Sequence, residues 1–209
     1  MKRTIKNLCL LSYWVLLATG VTYGQSHSLT KKPNEIEKLA FPKSTGFSKD
    51  YLKSNFWRLS YNSAGQPLAY KIVVPTVMRP TNVKPTPVNN IGITLIGEYQ
   101  IIGKNTPYFE VQVAYEKVSG KPNIKSWFKQ KLIKLKGTLR EESAIKIADK
   151  DGYDVLFTRT LTSGEQYISR SSMLVAGQNY VIVTAMTSKA DYDKSAKTIY
   201  HILSNWNMQ

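Results

Sequence analysis

The chain has 209 residues, 42% of them hydrophobic, and carries 29 Lys and Arg against 14 Asp and Glu, for a formal net charge of +15. Its one cysteine, Cys9, excludes a disulfide framework or thiolate cluster, and its two histidines, His27 and His201, are too few and too scattered for a histidine-based zinc site. One domain with a self-sufficient core is the expectation for this length.

The chain opens with Met1-Lys2-Arg3-Thr4-Ile5-Lys6, continues into an apolar stretch from Leu8 to Leu17, and reaches the small-residue region Ala18 to Gly24. This is the pattern of a secretory signal peptide over residues 1–24, with cleavage after Gly24, or after Gly20 as the alternative, and the product periplasmic or secreted. The competing reading, a membrane anchor, needs about 20 apolar residues. Here the run is shorter and broken by Ser12 and Thr19. Cys9 precedes most of the apolar stretch, so it is badly placed to become a lipidated first residue. Removal of the segment takes away Lys2, Arg3 and Lys6 and leaves a charge of +12, a balance that favours anionic partners or simply solubility.

Residues 25–54 are rich in Lys, Ser, Thr and Pro and poor in large apolar side chains, so they read as a tether, with one turn of helix around Glu35 to Leu39. The folded domain is expected over 55–209. From Phe56 the pattern alternates with period 2, and the runs around Leu59 and Ile72 predict a hairpin turning at Ser63-Ala64-Gly65-Gln66. Pro75 to Asn90 holds four prolines and reads as a long loop bearing Arg79 and Lys84. A second hairpin follows. Ile91, Ile93, Leu95, Tyr99 and Ile101 lead through Gly103-Lys104-Asn105 to Phe109, Val111, Val113 and Tyr115, with Glu110, Gln112 and Glu116 on a wet face.

Apolar spacing then becomes helical: Ile124, Trp127, Phe128, Leu132 and Leu135 make one stripe, with Asn123 as N-cap and Gly137 as the left-handed stop. The other face carries Lys125, Lys129, Lys131, Lys134 and Lys136, a candidate anionic-surface contact whose bland alternative is a solvated face. Four strands follow as a meander. Asp149-Lys150-Asp151-Gly152 predicts a three-residue hairpin loop setting Ile145 and Ile147 opposite Phe157 and Val155; the alternative is a two-residue register pairing Lys146 with Val155. Ser163-Gly164 and Gly177-Gln178 are the next turns, and the last strand, apolar on both faces, is expected inside the sheet. Ser188 and Asp191 read as a capping box for a closing helix with Tyr192, Ala196, Ile199, Leu203 and Trp206 on one stripe. The fold class is α+β: an antiparallel sheet of hairpins and a four-strand meander with two flanking helices.

This order of elements resembles the PsbP-like superfamily, named for an extrinsic subunit of photosystem II and shared with a nuclear import factor and bacterial envelope proteins. The resemblance is carried by the helix around Trp127 and Phe128, by Gly137, Asp151-Gly152, Arg170, Gly177 to Tyr180, and the closing Ile202-Leu203-Ser204-Asn205-Trp206, and it spans residues 55–207. It implies an α/β/α sandwich and a non-enzymatic role, docking to a protein assembly or chaperoning a client.

The residues themselves carry no catalytic signature: no Gly-x-Ser-x-Gly elbow, no His-Glu-x-x-His helix and no phosphate-cradling loop. Asp149, Asp151 and Asp154 lack the remaining ligands of a calcium loop. No metal and no cofactor is expected. With the turn registers above, Arg159 and Arg170 fall on one apolar face of neighbouring strands, as a candidate ligand or partner contact; the alternative is a pair of rim arginines bound to Glu142, Glu165 or backbone. A protein partner in the cell envelope is the first expectation and an anionic lipid or other polyanion the second. Nucleic acid is disfavoured, because the aromatics that could stack on bases fall on core stripes.

Overall fold

The period-2 runs assemble into two antiparallel sheets in the computed structural model, which describes residues 45–62, 68–82, 84–101, 108–120, 123–160 and 163–209. The signal-peptide segment, most of the tether, and the turns at 63–66 and 103–105 lie outside the described residues. The small sheet pairs β1 (Phe56–Tyr61) with β2 (Tyr70–Pro75) as the expected hairpin, Leu59 opposite Ile72, and β2 also takes β11 (Asn207–Met208). The large sheet runs in the order β3 (Met78–Asn82), β5 (Ile93–Ile101), β6 (Phe109–Lys117), β10 (Asn179–Ser188), β9 (Gln166–Ala176), β8 (Lys150–Thr160), β7 (Thr138–Ile147), and β4 (Thr86–Val88) also pairs with β5. The segment read as a Pro-rich loop therefore supplies edge strands, where Pro80 and Pro87 need no ladder donor.

Three α-helices among the described residues complete the sandwich. α2 (Ile124–Lys134) covers one face through Trp127, Phe128 and Leu132, packed with Leu95, Ala114, Val155, Phe157, Met173 and Ile182. α3 (Tyr192–Ser204) and the small sheet cover the other, where Ile199, Ile202, Leu203 and Trp206 meet Val111, Val183, Leu156 and Ile168. Each such side chain removed from water contributes roughly 1.5–3 kcal/mol. The last strand of the meander, β10, lies between β6 and β9 and is buried on both faces, as its composition requires. A further helix, α1 (Lys49–Asn55), occupies the end of the segment read as a tether; Ser48 caps it, and Phe47 and Phe56 stack around His201.

Three local readings change. The first meander turn is Ala148-Asp149, both left-handed at φ 45° and 68°, so Ile145 pairs with Gly152 and Ile147 with Lys150; Val155 falls opposite Glu142, and the turn lies upstream of both expected registers. Gly152 matters there for space, since a Cβ would lie 2.5 Å from Ile147 Cδ1 and 2.9 Å from the Met173 carbonyl. At the end of α2 the left-handed residue is Lys136 (φ 52°) and not Gly137. The amides of Gly137 and Lys136 donate to the carbonyls of Leu132 and Ile133, the paired bonds of a Schellman stop. Finally, Ser188 and Asp191 bond each other at 2.8 Å across the 3-10 turn Lys189–Asp191 instead of capping backbone amides.

Candidate functional site

Glu110 and Gln112, expected to be solvated, are buried with Glu98 on the α2 side of the large sheet. The register explains the correction: Glu98 is opposite Gln112, which is opposite Thr184, which is opposite Ser171, so one polar row crosses β5, β6, β10 and β9 in the sheet's middle. Alternating polarity here marks an interior polar row, which sequence alone cannot distinguish from a wet face. The carboxylates are served locally. Thr81 donates to Glu98 at 3.2 Å, the Gln112 amide reaches Glu98 at 3.4 Å and also Glu110, and the Tyr108 hydroxyl donates to Glu110. Burial pushes the Glu110 carboxyl up to about 7, against the pull of the Tyr108 bond.

Arg159 extends from β8 onto this face, 5% exposed, with Nη2 2.6 Å from the Met186 sulfur and with Tyr108 and Glu110 in its field. Burial lowers the Arg159 pKa, and those two neighbours oppose the shift. A cavity of about 30 Å³ lies between these groups and α2; Gln112, Arg159, Ser171 and Thr184 form its polar end, and Phe128, Leu135, Phe157 and Ile182 much of its apolar wall.

Arg170 is elsewhere. Arg159 pairs with Tyr167 and Arg170 with Leu156, so the two arginines point to opposite faces, and so do Val155 and Leu174. The loop joining β8 to β9 spans five residues, Thr160 being opposite Gln166, and the expected Ser163-Gly164 two-residue turn would have been one residue out of register. Such a slip exchanges the faces of every side chain. On the α3 face Arg170 donates from Nε at 3.0 Å and Nη2 at 2.5 Å to Asp154, both side chains 1% exposed, and its guanidinium lies 5.3 Å from the Tyr200 ring centre.

The lysine face of α2 is divided. Lys131 turns inward, to the Ile91 carbonyl at 2.8 Å and the Glu116 carboxylate, beside Trp127. Lys125 and Lys129 stand 4.0 and 3.6 Å from Glu142, and Lys134 and Lys136 are exposed. Tyr153, donating to Glu142 at 2.5 Å, is the main cause of a lowered Glu142 pKa. Trp127, Phe128, Tyr192 and Trp206 are all buried in the core, as their stripes implied.

An exposed pair that the sequence reading did not bring together lies on β1 and at the start of β3. Trp57 on β1 is 42% exposed, and the Arg79 guanidinium stacks 4.7 Å from its ring centre while donating to the Thr76 carbonyl at 2.6 Å and the Met78 carbonyl at 2.9 Å. Val77, in the same turn, is 58% exposed. Arg79 was visible as a charge in a Pro-rich stretch, but nothing local announces its pairing with a Trp 22 positions earlier. Among the described residues no group of three or more His, Cys, Asp or Glu could hold a metal ion, and no helix is long and apolar enough to cross a membrane.

The fold is similar to those of a cyanobacterial PsbP and of a mycobacterial protein involved in cell envelope biogenesis. The solution structure of CyanoP, the cyanobacterial PsbP of Synechocystis, superposes with a TM-score of 0.54 over 74% of this chain and 93% of that one, at 11% identity. LpqN, involved in cell envelope biogenesis of Mycobacterium tuberculosis, superposes with a TM-score of 0.52 over 77% of this chain and 95% of that one, also at 11% identity. No protein-family model and no curated protein sequence matches the chain.

Proposed function

We propose that this PsbP-like chain is an exported, non-enzymatic accessory module that holds a protein partner in an envelope or secretion assembly, with the Trp57–Arg79 corner as its docking point. The observation that carries the reading is this exposed pair. Trp and Arg are the side chains most often found as binding anchors, and here Arg79 is already fixed over the Trp57 ring by two carbonyls, so little side-chain freedom is lost on docking. The basic signal-like leader and the role of LpqN, a protein of the same fold, in cell envelope biogenesis support the envelope setting.

The test is affinity capture of the tagged protein from its own envelope fraction, washed at low and high salt, beside a Trp57→Ala variant. A protein retained through the high-salt wash by the parent and lost from Trp57→Ala is the expected result. Recovery of only lipid or another polyanion, released by salt, would replace this reading with binding through the exposed lysines of α2, because contacts to a charged surface weaken steeply with ionic strength.

A further inference from the structure

The strand that carries Trp57 has an open edge that nothing blunts. β1 pairs with β2 in unbroken register, and among the described residues no strand pairs with its other side. The other outer strands are interrupted or short, which are the usual defences of a sheet edge. β3 shifts register between Pro80 and Asn82, β4 holds Pro87, β7 shifts between Leu139 and Glu141, and β11 is only Asn207 and Met208. β1 has neither proline nor bulge.

The direction of its backbone groups follows from the bonds beside it. The Thr76 amide donates to the Asn55 carbonyl at 2.9 Å, and Pro75, which has no amide to give, stands opposite Phe56. Alternation then turns the amides and carbonyls of Trp57, Leu59 and Tyr61 toward β2, and those of Arg58 and Ser60 toward the open edge. Side chains alternate too: Trp57 and Leu59 share the core-side face with their partners Val74 and Ile72, and Arg58 lies on the other face.

Charge selects the occupant. β1 and β2 hold Arg58 and Lys71 and no acid, Lys53 closes α1 just before them, and Arg79 stands over Trp57. Arg58 is exposed and forms no ion pair among the described residues. A second copy of β1 would add its own Arg58 and Lys71 to a surface short of acids, whereas an incoming acid opposite Arg58 makes a favourable cross-strand pair.

We propose that the partner docks by strand addition: an extended segment of alternating acidic and apolar residues pairs its backbone with Arg58 and Ser60 at the open edge of β1, its acids on the Arg58 face and its apolar side chains beside Trp57 and Leu59. This rests on the docking reading above and names the kind of segment that the corner receives.

The experiment is an amide-resolved NMR titration of the protein with the capped peptide Ser-Glu-Val-Glu-Phe-Glu-Val-Ser. Two controls run beside it, the same peptide N-methylated at its central residues, which removes backbone donors and keeps the side chains, and the peptide with Lys for each Glu. Saturable shifts centred on β1, with slowed exchange of the Arg58 and Ser60 amides, are expected. Each control should bind about tenfold or more weakly, the factor that losing backbone or charge-assisted hydrogen bonds implies. Arg58→Glu, at an exposed position, should leave the melting temperature nearly unchanged, weaken the Glu peptide and strengthen the Lys peptide. Equal binding of the N-methylated peptide, shifts confined to the exposed lysines of α2, or no saturation at millimolar peptide would each overturn strand addition. The docking reading is judged apart: a captured partner lost from Trp57→Ala but unaffected by Arg58→Glu would leave that reading standing and sink this one.

Discussion

At the scale of single residues, the interior of this protein is set by a few buried charges whose placement decides their chemistry. Glu110 holds a carboxyl pushed up to about 7 from an ordinary value of 4.5, facing Glu98 on β5, Gln112 on its own strand, Tyr108 just before that strand, and Arg159 from β8. Between those two values the folded chain keeps a proton that the unfolded chain has released, so stability falls as pH rises through that window; below it both states are protonated and the penalty is absent. The full loss above pH 7 is at most about 3 kcal/mol. Glu110→Gln should flatten the fall, raising the melting temperature at pH 8 while changing it little at pH 4.5. Melting curves at several pH values would check this, and an unchanged slope in the variant would assign the pH dependence to other groups. Arg159 and Arg170 show what was legible at this scale and what was not. That each guanidinium must find a partner could be read from its apolar strand, and Asp154 is that partner for Arg170. The face was not readable, because it depended on one residue of loop length.

At the scale of elements, period and composition identified β1, β2, β5 to β10, α2 and α3, while the stops and registers between them followed contacts that sequence does not display. Ala148 and Asp149 form a left-handed turn without the Asn-Gly or Gly-Gly pair that usually announces one. The prolines at the sheet edge concealed β3 and β4, since a strand with one free edge tolerates what an interior strand cannot. The C-terminus of α2 shows the same confusion at one position's distance. Gly137 lies where a Cβ would collide with Leu132, and the left-handed residue beside it is Lys136. A side chain in that conformation costs about 1 kcal/mol relative to glycine. Lys136→Gly should therefore stabilise the protein by about that amount and raise its melting temperature by about 2–4 °C. Thermal unfolding of the single variant measures it; a lower melting temperature would mean that the Lys136 side chain makes a contact worth more than the strain.

At the scale of the whole molecule, the residues after α3 complete the small sheet begun by β1 and β2. β11 adds to β2, so Asn207 and Met208 pair with Lys71 and Tyr70, and the Gln209 amide donates to the Ala69 carbonyl. Trp206, fully buried, stands just before that strand and donates from its indole nitrogen to Ser172 Oγ at 2.7 Å, while Ser172 donates to the Leu203 carbonyl at 2.9 Å. One side chain thus joins the interior strand β9, the end of α3 and the strand that closes the small sheet. Trp206→Ala is expected to cost about 3–5 kcal/mol, the usual range for emptying an aromatic site in a packed core. Its distribution is the sharper test. If Trp206 is what holds the small sheet to the large one, amide exchange in the variant should accelerate far more in β2 and β11 than in β6, β9 and β10, whose ladders are flanked on both sides. Uniform acceleration would instead show that the two sheets open as one unit, with the small sheet held by the packing of Tyr70, Ile72 and Val74 alone.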